Sequence, residues 1–111
     1  MEIAFASTKL EKCFNSEKEL KKKYNTRMFR AISMRMTVLE HAENLNRVPT
    51  IPPERCHQLT QNRDEQFAVD LVQPYRLFFS VNHRPIPRRE DGGIDLSQVT
   101  AIKILGVKDY H

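Results

Sequence analysis

Phe67-Ala68-Val69-Asp70-Leu71-Val72-Gln73-Pro74-Tyr75-Arg76-Leu77-Phe78-Phe79-Ser80-Val81 is the stretch whose reading decides the fold. Apolar residues alternate on either side of Gln73-Pro74, a dipeptide suited to a tight chain reversal. The stretch therefore reads as two strands, Phe67 to Val72 and Tyr75 to Val81, paired as an antiparallel hairpin. Alternation places Phe67, Val69 and Leu71 on one face, joined by Leu77, Phe79 and Val81 of the partner strand. Those six are the expected core. Asp70, Arg76, Phe78 and Ser80 point the other way, onto a mixed face that carries an arginine and offers a place for a ligand.

Downstream, Asn82 to Ser97 contains Pro85, Pro87, a Gly-Gly pair and the charge run Arg88-Arg89-Glu90-Asp91, the composition of a long mobile loop. A last strand is expected from Ala101 to Val107, with Asp109-Tyr110-His111 directly behind it. Upstream, Arg55 to Thr60 is a short strand candidate and Gln61 to Asp64 a polar turn. Pro49, Pro52 and Pro53 separate this sheet-forming half from a helical one, because each lacks an amide donor and disfavours helix in the residue before it.

In the helical half, Leu20, Tyr24, Met28, Ala31, Ile32, Val38, Leu39 and Ala42 recur at spacings of three and four, which predicts a helical stripe between Ser16 and Asn44. Asn25-Thr26 is a candidate break, since Asn caps helices and neither residue favours a helix interior. Arg35 falls within the stripe and is expected to snorkel to solvent. Ser7 and Thr8 offer caps after a first strand from Glu2 to Ala6; Thr8 with Glu11, and Ser16 with Glu19, have capping-box spacing. The fold class is thus α+β, a single domain over residues 1–111 with an N-terminal strand and helices packed on a small, mainly antiparallel twisted sheet.

The chain of 111 residues is 40% hydrophobic and 29% charged, values of a globular protein with one modest core. No apolar run is long enough to span a bilayer, and the N-terminus lacks signal-peptide character, so a cytoplasmic protein is expected. Cys13 and Cys56 have no metal-ligand spacing and read as reduced, packed thiols. A net charge of +4 favours an anionic partner. Lys21, Lys22, Lys23, Arg27 and Arg30 form a local basic surface suited to RNA phosphates, although a solvated helix also has this composition.

His41, His57, His83 and His111 likewise lack metal-ligand spacing, and no cofactor is expected. His41 suits a helix C-terminus and His83 a solvated loop. His57 and His111 lie on or next to strands of one small sheet. Asp109 is placed to orient an imidazole and Tyr110 to stack on a base, with the face of each depending on whether Gly106 introduces a bulge.

The order Pro53-Glu54-Arg55-Cys56-His57-Gln58-Leu59, then Asn62-Arg63, then Tyr75-Arg76-Leu77, then a final Asp109-Tyr110-His111, resembles the HigB branch of the RelE/ParE toxins. The resemblance implies a RelE-like fold and a metal-independent endoribonuclease that cuts messenger RNA on the ribosome, neutralised by a helix-turn-helix antitoxin in a hetero-oligomer. By position, His57, Arg76, Asp109, Tyr110 and His111 match the family's catalytic residues, and Arg63 a basic residue near the substrate phosphates. The sequence departs from the family's H-x-L-K-G pattern at His57-Gln58-Leu59-Thr60-Gln61, where a lysine is missing. Two further readings stand beside the nuclease: a binding protein of the same fold, like the gyrase-poisoning ParE branch, and a catalytically weakened homologue.

Overall fold

The computed structural model describes residues 1–60 and 65–109. Five strands form one sheet in the order β1-β5-β4-β3-β2: β1 is Glu2–Phe5, β2 His57–Gln58, β3 Gln66–Asp70, β4 Tyr75–Val81 and β5 Ala101–Asp109. All neighbours pair antiparallel except β1 with β5, which are parallel. Three helices, α1 (Thr8–Phe14), α2 (Glu17–Lys23) and α3 (Thr26–His41), occupy the chain between β1 and β2. This is the α+β architecture expected.

Each helix begins where a side chain accepts an otherwise unpaired amide. Ser7 Oγ accepts from Leu10 N at 3.1 Å, so Ser7 rather than Thr8 is the cap of α1. Ser16 Oγ accepts from Glu19 N at 3.1 Å. Asn25 Oδ1 accepts from Met28 N at 2.8 Å, and the helical stretch does break there, between α2 and α3.

The helical stripe packs on one sheet face. Leu20, Met28, Ile32 and Leu39 are buried against Phe67, Val69, Leu71, Leu77, Phe79 and Val81, the six hairpin residues expected in the core, together with Ile102 and Ile104 of β5. Phe67 and Phe79 stack across the β3–β4 pair with ring centroids 5.8 Å apart. Arg35 departs from expectation: it is 7% exposed and its Nε donates to the Asp70 carbonyl oxygen at 2.7 Å. A buried guanidinium that finds a strand-end carbonyl has no need to reach water.

The sheet half is also more economical in strand than expected. The candidate from Arg55 to Thr60 contracts to His57–Gln58: at its start Cys56 N bonds to Pro49 O rather than to the sheet, while Leu59 N still donates to Gln66 O, in register with the β2–β3 pair. The polar turn expected over 61–64 lies outside the described residues. The segment expected as a mobile loop is tied down: Arg88 bridges to Ile94, Arg88 Nη2 reaches Glu65 Oε1 at 2.7 Å, and Ile94 is buried in the main core. His83, expected in solvent, accepts from Thr100 N and Ala101 N at 3.0 and 3.2 Å. His41 does serve the α3 C-terminus, its Nδ1 lying 2.9 Å from Thr37 O. Among the described residues no helix is long and apolar enough to cross a membrane.

Candidate active site

The sheet face away from the helices carries a different set of side chains. Strand register brings them together: His57 pairs with Ala68, Ala68 with Phe78, Asp70 with Arg76, and Arg76 with Lys108. Directly opposed residues share a face. His57, Asp70, Arg76 and Lys108 therefore cluster around a small apolar patch of Leu59, Ala68 and Phe78, against which Leu105 packs.

Asp70 organises the cluster. Its carboxylate is buried, which is costly for a charge unless cations and donors surround it. Arg55 Nε reaches Oδ2 at 2.6 Å, Gln73 Nε2 donates to the same oxygen at 3.2 Å, and Arg76 Nε lies 3.3 Å from Oδ1. Arg35 occupies the Asp70 carbonyl from the helical side. Three guanidinium groups thus converge on a residue bearing one negative charge, leaving a local excess of positive charge suited to a phosphate. The hydrogen bond from Arg55 to Asp70, and then the attraction of the carboxylate, raise the Arg55 guanidinium above its ordinary value and keep it charged.

Arg55 also sets the state of His57. It adopts a left-handed backbone conformation with φ of 44°, uncommon for a residue with a side chain. In this conformation its side chain holds Asp70 while its carbonyl oxygen lies 2.8 Å from His57 Nδ1. A carbonyl only accepts, so Nδ1 carries a proton and the neutral ring presents a bare lone pair at Nε2. Arg76 Nη1 approaches that Nε2 at 3.5 Å. A guanidinium and an imidazole nitrogen able to accept a proton are thereby held side by side on one sheet face.

The end of β5 enters this region by way of a bulge. Phe79 pairs with Ile104 but Phe78 with Gly106, so Leu105 is the extra residue, and Gly106 adopts a φ of +145° that residues with a Cβ rarely take. The shift places Lys108 opposite Arg76 and Asp109 opposite Tyr75. Asp109 therefore lies one strand from Arg76 and faces the other side of the sheet. Arg63, Tyr110 and His111 lie outside the described residues.

Lys21, Lys22, Lys23, Arg27 and Arg30 are exposed on the helical layer. Lys21 pairs with Glu17 at 3.0 Å and sits over the Phe29 ring, whereas Lys23 lies near Lys9 and Lys12 of α1. Sequence reasoning missed Asp70 and Arg55 as site residues. A signal was present for the first: Asp70 and Arg76 are equidistant from Gln73, so the hairpin makes them an opposed charge pair.

The architecture matches toxin folds of the RelE/YoeB type. Among solved structures, the chain matches the YoeB-YefM complex from Staphylococcus aureus with a TM-score of 0.57 and 15% identity, over 100% of this chain and 97% of that one. It matches a YoeB/ParE toxin from Agrobacterium tumefaciens with a TM-score of 0.59 and 9% identity over 100% of both chains. No protein-family model and no curated protein sequence matches the chain.

Proposed function

We propose that this protein is the toxin of a toxin–antitoxin pair, of the HigB branch, which acts in the cytoplasm as a ribosome-dependent endoribonuclease on messenger RNA. The observation that carries the reading is the His57–Arg76 pair, an imidazole with an accepting Nε2 beside a guanidinium on a cationic sheet face. The shared fold with YoeB and ParE toxins supports it, and the YoeB-YefM complex supports an antitoxin partner, here a helix-turn-helix protein bound in a hetero-oligomer.

In the proposed reaction His57 Nε2 takes the proton of a ribose 2′-hydroxyl, the 2′-oxygen bonds to the adjacent phosphorus, and the bond from phosphorus to the 5′-oxygen breaks. Arg76 neutralises charge growing on the phosphoryl oxygens, a contribution of about 3 kcal/mol to lowering the barrier. His111 gives its proton to the departing 5′-oxygen, while Tyr110 holds the nucleotide and Arg63 a neighbouring phosphate; Asp109, which faces the other side of the sheet, has no part in the proposed step. The products are a cyclic phosphate and a free 5′-hydroxyl. Lys108 beside Arg76 supplies positive charge on a face where Thr60 replaces the family's lysine.

The test is to add purified protein to translating ribosomes and map the messenger RNA ends. Cleavage that is lost in His57→Ala and Arg76→Ala and persists in chelator is the expected result. Intact message with the wild-type protein overturns the nuclease.

A further inference from the structure

A second concavity lies away from His57, where α1 and the end of α2 meet the β5 bulge. It encloses about 950 Å³. Lys9, Lys12 and Lys23 contribute to its lining together with a single carboxylate among the described residues, Glu19, and the apolar side chains of Leu10 and Leu105. Lys9 and Lys12 stand three residues apart on α1 and so share a helix face. Among the described residues, Lys9 and Lys12 make no ion pair.

Exposed lysines are ordinarily just solvated. Here they converge on one concavity with partly apolar walls, an arrangement that focuses positive potential and favours a ligand with both anionic and apolar parts. Leu105 links the cleft to the sheet face: it lines the cleft and also packs against the cluster containing Phe78. Arg76 is two residues from Phe78 on that same face. From strand spacings, Arg76 and Leu105 are on the order of 10 Å apart.

We propose that the Lys9–Lys12–Lys23 cleft is a second RNA subsite, which binds the phosphodiester backbone of the substrate strand a few nucleotides from the scissile phosphate. This rests on the ribonuclease reading for the identity of the strand. The lysines take the phosphates, and Leu10 and Leu105 pack against sugar or base. Because the contacts are to backbone, the subsite contributes affinity and direction with little sequence choice.

The experiment is the salt dependence of binding of a labelled single-stranded RNA of about 12 nucleotides, followed by fluorescence anisotropy. The triple variant Lys9→Ala, Lys12→Ala, Lys23→Ala is expected to bind about tenfold more weakly, with a slope of log affinity against log salt shallower by about 2. The Lys→Arg triple should keep the wild-type slope. Cys13 also lines the cleft and is half-buried, so bound RNA should slow its alkylation. An unchanged slope in the alanine triple, or unprotected Cys13 at saturating RNA, overturns the subsite. The two readings fail separately. RNA binding with the expected slope but no cleavage on ribosomes overturns the nuclease and keeps the cleft, whereas cleavage with an unchanged slope in the alanine triple overturns only the cleft.

Discussion

Asp70 and Arg76 face one another across the β3–β4 hairpin, with the buried carboxylate 3.3 Å from the guanidinium that reaches on toward His57. Asp70→Asn keeps the shape but leaves Arg55 and Arg76 without their shared anion. A loss of about 3 kcal/mol in unfolding free energy is expected, because the cost of a broken buried pair falls on the partners left behind. Ribosome-dependent cleavage should fall on the order of a hundredfold in kcat as Arg76 loses its fixed position. Denaturant titration and single-turnover cleavage measure the two effects. A variant as stable and active as wild type would remove Asp70 from the site.

Arg76→Lys separates charge from geometry. A lysine retains the positive charge but cannot span Asp70 and His57 with one planar fork. Cleavage should fall by about tenfold to a hundredfold, while Arg76→Ala falls further. Equal activity of the lysine variant and wild type would reduce the role of Arg76 to a point charge.

Gly106→Ala tests the bulge. The +145° backbone angle strains any residue with a Cβ, although no atom lies within 4 Å of the position a Cβ would take. The expected loss is about 1–3 kcal/mol from backbone strain alone, read as a lowered denaturation midpoint. Activity should drop as well, because the bulge sets which residues of β5 stand opposite Tyr75 and Arg76.

Burial pushes the Cys56 thiol up from 9.0 to about 12. Since the folded value exceeds the unfolded one, this group's stabilising contribution is complete below pH 9 and is lost as pH rises toward 12. Each unit of difference is worth about 1.4 kcal/mol. The stability gap between wild type and Cys56→Ala should therefore shrink from pH 8.5 to pH 11 by a few kcal/mol, on the order set by that linkage. A gap independent of pH would mean that the thiol ionises normally in the fold.

The loop after β4 supplies a contrast. Arg88→Ala removes an exposed pair with Glu65 and should cost under about 1 kcal/mol. Ile94→Ala empties a buried position six residues on and should cost about 2–4 kcal/mol. Thermal unfolding of the two variants ranks them.

What was readable in advance follows from the range of each interaction. The hairpin and its six core residues are legible because alternation is written into neighbouring positions, and the α2–α3 break because Asn25 caps the helix that starts at the next residue, accepting from an amide three residues on. Arg35 was misread as snorkelling because helical periodicity has no knowledge of the strand-end carbonyl 35 residues later that receives it. His83 was misread for the same reason, its partners being the amides at the start of β5.

By itself, then, the sequence determined the α+β class and the strand pairing of the hairpin, since residue type, spacing and periodicity are local properties, while His57 and Arg76 were singled out by a resemblance to a known family. Tertiary structure alone decided that Arg55 fixes the proton on His57, that Asp70 gathers Arg55 and Arg76, that the bulge turns Asp109 away from Arg76, and that Lys9 and Lys12 meet Lys23. Those relationships are matters of register and packing between segments distant in the chain, where a shift of a single residue moves a side chain to the opposite face of the sheet.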